Sequence, residues 1–454
     1  MAVTDIDTRF SLLELDLPTE VKAERIALPT PKPVAPIVPI NAWASPGHST
    51  EGEARAKADE KAALDAGFSP KPPIYQIGSL VNAVGVDNFR ASREEFEAMP
   101  TAYDACGKLA SQVQAEDRQD LLVPVKSLTM LPDGRLTRGQ GTMTMSHRAM
   151  EGLGVFVTPG GASYLRQCPT ELRAINVNHW CQANGQRIDR KGRTVDREIT
   201  LRTRLNATLG KRETFAVVGP KYSAHDVDKL AEQIMRSPAI PADARADVVY
   251  DGYKARINVL FHTNVQPEKA VAGEIFKAGL LFRTADDGSG SIQVAAQVFR
   301  NLCLNLIVID HAKEMVVRRS HRGEGIARAV EAGIHEAMEK VAYFADKWSE
   351  ATLENVLEKY GCQDIEQVMR GLVVNKVVTA TGVRAPDMFQ RLMDAWQKEP
   401  GYSKTSIVNA VTRAAHENPW SHWETVEELE TLGGQLLYAK NWNVAIEDSA
   451  QVDF

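Results

Sequence analysis

The sequence predicts an α+β fold: a central antiparallel sheet packed by a long helix, a C-terminal helical domain and a disordered Pro-rich N-terminal tail. Three observations predict it. Across residues 200–299, short apolar runs alternate at period two and are split by Asp-Gly turns, as in half-buried antiparallel strands. Over residues 324–347 the period becomes helical, with Ile326, Val330, Ile334, Met338, Val341 and Phe344 on one stripe. Near the start, Pro29, Pro31, Pro33, Pro36, Pro39 and Pro46 crowd together. Proline removes backbone donors and favours extended chain.

Taken in order, residues 1–73 read as the tail, with a docking peptide around residues 37–43 as a second reading and a short charged helix over 51–66. Residues 74–182 form the mixed α/β N-terminal part of the core. Residues 121–125 read as a strand that Pro124 confines to a sheet edge, because proline cannot donate to a ladder. Ser146 would cap a helix bearing Met150, Leu153 and Val157 on one face, and Pro169 opens another through Leu172, Ile175 and Val177 to Trp180.

Residues 183–348 are the most readable. Strands are expected at 200–205 and 215–218, and Ser223 to Asp226 has capping-box spacing before a helix with Val227, Leu230 and Ile234 inward. Asp251-Gly252 suits a type I′ hairpin turn. In its second arm Tyr253, Ala255, Ile257, Val259 and Phe261 share one face, and Lys254, Arg256 and Asn258 the other. Strands at 279–284 and 291–299 flank the turn 286–290. Residues 349–440 read as helical, with Pro386 at a helix start and helices at 405–416 and 424–438; residues 441–454 are an acidic tail.

Net charge is −6, so positive charge that meets a nucleic acid must be local. The five cysteines, Cys106, Cys168, Cys181, Cys303 and Cys362, are scattered without C-x-x-C spacing, against a disulfide framework or a zinc ribbon. The acidic first twenty residues contain no apolar signal-peptide core, and no run reaches the roughly 18 apolar residues of a membrane helix. A cytoplasmic protein without membrane contact is expected.

Catalytic signatures are sparse. There is no G-x-x-x-x-G-K-[ST] and no G-x-S-x-G, and Gly288-Ser289-Gly290 lies in a hairpin where no helix N-terminus can meet a phosphate. His179, Cys181 and Cys168 do not complete a zinc set, and Cys303 among leucines reads as a buried thiol. No metal or other cofactor is expected. Basic residues remain: nine Lys/Arg against three Asp/Glu over 187–212, then Lys254 and Arg256, with Tyr222, Tyr250 and Tyr253 as platforms on which bases could stack.

Several segments carry a resemblance. They are Gly219-Pro220-Lys221-Tyr222-Ser223-Ala224-His225-Asp226, the Asp287-Gly288 turn, Phe299-Arg300-Asn301-Leu302-Cys303-Leu304-Asn305 and Arg319-Ser320-His321-Arg322-Gly323-Glu324. In this order they resemble the uncharacterised phage/plasmid-like family known as domain of unknown function 932. Lys221 stands where that family usually has arginine, which keeps the charge but weakens bidentate phosphate recognition. The resemblance implies a role in the DNA metabolism of a mobile element.

The expected function is therefore single-stranded-DNA binding or annealing without catalysis. Lys221, Tyr222, Lys254, Arg256, Arg300, Arg318, Arg319, His321 and Arg322 would form the nucleic-acid-binding surface. A homo-oligomer is left open. One alternative is an interaction protein that blocks a host restriction or defence component through its tails and acidic helices. Another is a metal-dependent nuclease, which would need Asp287, Asp310 and Glu324 to converge.

Overall fold

The computed structural model describes residues 58, 60–72, 75–77, 93–138, 141–158, 162–188, 191–206, 208–265, 276–300, 306–309, 316–319, 326–417 and 423–445. Most of the expected proline-rich tail, and the acidic tail beyond residue 445, lie outside the described residues.

The named elements begin with β1 (Tyr75–Ile77), α1 (Arg93–Ala98), α2 (Ala102–Gln114), β2 (Gln119–Pro124), β3 (Thr129–Met130), β4 (Leu136–Arg138) and β5 (Gly141–Met145). Helices α3 (His147–Val157), α4 (Ala162–Gln167) and α5 (Thr170–Ala183) precede β6 (Gln186–Ile188), β7 (Thr194–Asp196), β8 (Glu198–Asn206) and β9 (Lys211–Val218). After α6 (Val227–Arg236) come β10 (Arg245–Tyr250), β11 (Lys254–Val265), β12 (Phe276–Ala285), β13 (Ile292–Arg300), β14 (Leu306–Ile309) and β15 (Val316–Arg319). The remainder is helical: α7 (Ile326–Leu353), α8 (Val356–Tyr360), α9 (Ile365–Val374), α10 (Ala385–Lys398), α11 (Lys404–Glu417) and α12 (Trp423–Tyr438). The expected α+β class holds, and so do the long helix and the helical C-terminal region. Among the described residues no helix is long and apolar enough to cross a membrane.

The seven-stranded sheet runs β1-β10-β11-β12-β13 with every pairing antiparallel, and β14 and β15 divide the far edge of β13 between them. Its alternation is the one read from sequence. Ala255, Ile257, Val259 and Phe261 join Leu280, Phe282, Val294, Ala296 and Val298 in one buried cluster with Val330, Ile334, Val341, Phe344 and Trp348 of α7. The Phe276 ring meets those of Phe344 and Trp348 at 5.0 and 4.7 Å. Each fully buried side chain of this kind contributes about 1.5–3 kcal/mol, which is what holds the long helix to the sheet.

The six-stranded sheet runs β2-β8-β9-β5-β4-β3. Pro124 closes β2 at its edge, as a missing donor requires. Behind this sheet, Val123, Met145, Met150, Leu153, Val157, Ile199, Leu201 and Val217 form a second core. Ser146 caps α3 through the Ala149 amide at 3.0 Å. Gly152 lets α3 approach β9, since a Cβ there would lie 2.5 Å from the Val217 carbonyl oxygen.

Two expectations are corrected. First, Ser223 does not cap α6. The helix begins at Val227 with Asp226 as its N-cap residue, and the Val227 amide donates instead to Asp286 Oδ2 at 3.2 Å. Second, Asp251-Gly252 is not a type I′ turn, which needs positive φ at both residues; Gly252 has φ +86° and Asp251 does not share that sign. Asp251 Oδ1 accepts instead from the Tyr253 and Lys254 amides at 2.9 and 2.6 Å. The helix opened by Pro169 is found as α5, which buries Arg173, Ala174, Val177 and Cys181 and leaves Leu172 and Ile175 exposed. The segments on either side of residue 183 share both sheets, β2 with β8 and β1 with β10.

Candidate functional site: a buried charge clasp and the basic residues around it

Between the two sheets lies a set of charges that alternation alone would place on a surface. Arg118, just before β2, binds Asp226 Oδ2 at 3.0 Å and Asp286 Oδ2 at 2.6 Å through Nη1. Its Nε binds Glu116 at 3.0 Å, and its Nη2 donates to the Tyr250 hydroxyl. Arg202 on β8 reaches Asp226 Oδ2 at 2.6 Å, Asp120 at 3.0 Å, the Tyr222 hydroxyl at 3.1 Å and the Asp286 carbonyl. Arg204, two residues on, binds Glu213 at 2.7 Å and the Gly252 carbonyl at 2.5 Å. The ring of Phe215 on β9 lies about 5 Å from all three guanidinium carbons, so its π face supplements the ion pairing.

The charge balance explains the titration. Three arginines face five carboxylates, Glu116, Asp120, Glu213, Asp226 and Asp286, and Asp286 is wholly buried. Burial pushes the Asp286 carboxyl up to about 7, against the pull of Arg118, and Asp226 beside it adds to the rise. Burial also works on Asp226, but Arg202 and Arg118 outweigh it and hold that carboxyl below the usual range. The two neighbouring carboxyls are thus pushed in opposite directions, Asp226 down and Asp286 up. Beside Glu116, Arg204, Asn206 and Glu213 is a cavity of about 30 Å³ that Tyr75 also lines, enough for an ordered water. Arg204 Nη2 is buried without a hydrogen-bond partner.

The basic residues expected to meet nucleic acid fall into separate places. Arg256 is completely buried: its Nη2 binds Glu430 of α12, whose other carboxylate oxygen lies 3.0 Å from His416 Nε2. Burial would raise Glu430, but Arg256 and His416 together outweigh it and keep the carboxyl low. Lys254 lies 3.7 Å from Glu424, and Arg283 lies 2.5 Å from Glu427. The expected phosphate-facing side of β11 is thus covered by an acidic helix, because glutamates at every third position of α12 match a row of cations.

Tyr222 is half-buried, with the Arg202 guanidinium 4.8 Å from its ring centre. Tyr250 is buried, and Tyr253 has Arg204 over its ring at 4.8 Å. None of the three offers a bare face to a base. Lys221 is exposed in the turn after β9. Arg318 and Arg319 pair through their backbones with Gln293 and Ile292, near the turn that also meets Tyr222, whereas Arg300 ends β13 at the opposite end. His321 and Arg322 lie outside the described residues, as do Cys303, Asp310 and Glu324. Among the described residues no group of three or more His, Cys, Asp and Glu is placed to hold a metal ion. Burial pushes the thiols of Cys106 and Cys181 up to about 12.

The fold and the clasp define an α+β protein whose two curled sheets are locked together by buried ion pairs. Residues 220–427 match the family model of a domain of unknown function, DUF932. No curated protein and no solved structure matches the chain. The match takes in Tyr222, Asp226 and Asp286 but not Arg118, Arg202 or Arg204. Sequence reasoning missed this set because Arg202 and Arg204 sit in a stretch that reads as a basic surface. The alternation of residues 198–206 reads as a half-buried strand, whereas the structure buries both of its faces.

Proposed function

We propose that this protein binds DNA through its phosphates, without catalysis, in the DNA metabolism of a phage or plasmid. The observation that supports the reading is the cation-rich stretch over residues 187–212. Its buried arginines serve the clasp, while Arg187, Lys191, Arg193 and Lys211 stand exposed in a chain of net charge −6. Binding would rest on charge and counterion release rather than on stacking, because the tyrosines expected as platforms are engaged by arginines or buried. The restriction-blocking reading loses part of its contact surface, since Glu424, Glu427 and Glu430 already face cations of the sheet.

The test is an electrophoretic shift of mixed-sequence DNA by the full chain at about 50 mM and about 200 mM salt. Binding that weakens steeply with salt is expected. Failure to shift either single-stranded or duplex DNA at the lower salt would remove the proposal.

A further inference from the structure

The strands β6 and β7 form a two-stranded sheet of their own, in register Gln186↔Asp196, Arg187↔Val195 and Ile188↔Thr194. Every residue of β6 is exposed, Ile188 to 75%. At the tip, Gly192 has φ +76°, and a Cβ added there would meet nothing within 4 Å. The root is different. The Arg197 amide donates to the Gly185 carbonyl and the Val125 amide to the Arg197 carbonyl, both at 2.8 Å, and Arg197 Nη1 reaches the Phe156 carbonyl at 2.6 Å. Gly185 has no room for a side chain, since a Cβ would lie 2.3 Å from the Cys181 carbonyl oxygen. The chain therefore builds a clamped root and leaves open space beside Gly192. Residues 186–197 carry five Lys/Arg and two Asp/Glu, in a protein that is acidic as a whole.

Resting on the DNA-binding reading above, we infer that this ribbon is the contact element and that its partner is duplex DNA entered through the major groove. Two strands lie about 4.8 Å apart, and three residues of strand extend roughly 10 Å. A major groove about 12 Å wide and 8.5 Å deep admits such a ribbon, whereas an unwidened minor groove of about 6 Å does not. Arg187 lies on β6 and Arg193 immediately before β7, both exposed, so in the groove their cations would face phosphates on both walls. Strand alternation turns Ile188 to the face opposite Arg187, where an exposed apolar side chain suits a thymine methyl group.

The test compares the full chain with an Arg187→Gln, Lys191→Gln, Arg193→Gln variant, using a duplex of roughly 20 base pairs and its separated single strands. Circular dichroism melting controls for folding, and Arg187→Gln alone gives a milder variant. The wild-type chain is expected to prefer the duplex. The triple variant is expected to lose that preference, and its slope of log affinity against log salt should shrink by about 2 to 3. A single-strand preference in the wild-type chain, or an unchanged slope in a folded triple variant that still binds DNA, would overturn the assignment of the ribbon and leave DNA binding standing. Absence of binding to both DNAs would overturn both.

Discussion

Asp286 is wholly buried, and the raised pKa of its carboxyl shapes how the clasp responds to pH. In the unfolded chain its carboxyl titrates near 4, whereas burial raises it to about 7 in the folded protein. The folded state holds the proton more tightly. The stabilising contribution of this group is therefore complete below about pH 4 and is lost as pH rises towards 7. Asp226 acts in the opposite sense: held low by Arg202 and Arg118, it contributes above its unfolded value and loses that contribution on acidification. Replacing Asp286 by Asn removes the proton demand. Its stability relative to the wild-type chain, from urea unfolding, should rise between about pH 4 and 7 by on the order of a few kcal/mol and then level off. A difference independent of pH would mean that the buried proton sits elsewhere. None of this was legible in the sequence, where Asp286 reads as the first residue of a turn.

At the scale of elements, α12 shows how a correctly read helix can have an unread purpose. A helix was expected over 424–438 and is found at Trp423–Tyr438. Its acidic residues suggested a contact surface for a host partner, but Glu430 closes on Arg256, 174 residues away in sequence. The alternation of β11 was read correctly too; what periodicity could not tell is that both faces of the strand are covered. Arg256→Ala would leave Glu430 charged and buried without its main cation, at a cost of about 3–5 kcal/mol in thermal or urea unfolding. The double replacement Arg256→Met with Glu430→Leu should recover most of that loss, since paired apolar residues of similar volume need no ion pair. If the single and double variants are equally unstable, the ion pair is not what holds α12 to the sheet.

For the whole molecule, the family match stops short of what this fold needs. Residues 220–427 contain Asp226 and Asp286 but neither Arg118 nor Arg202, and they end before Glu430. They also omit α2, whose Ala105, Leu109 and Val113 belong to the main core. The isolated fragment 220–427 should therefore show no cooperative melting transition, while the chain from residue 60 to 445 melts as one unit. Cooperative melting of the fragment by circular dichroism would show that the clasp is dispensable for the sheet and long helix.

The sequence by itself determined the α+β class, the strand alternation of β11 to β13, the edge position of β2, the Ser146 cap and the long helix. These follow from residue spacing within a few turns or strands, where side-chain period and local backbone preference act. Tertiary structure alone decided which charges are buried, what caps α6, and that the cations of β11 face glutamates rather than solvent. A lysine or arginine has the same local propensity whether it meets water, a phosphate or a carboxylate brought from another strand or helix. Its role is settled by long-range pairing and desolvation, which no local pattern encodes.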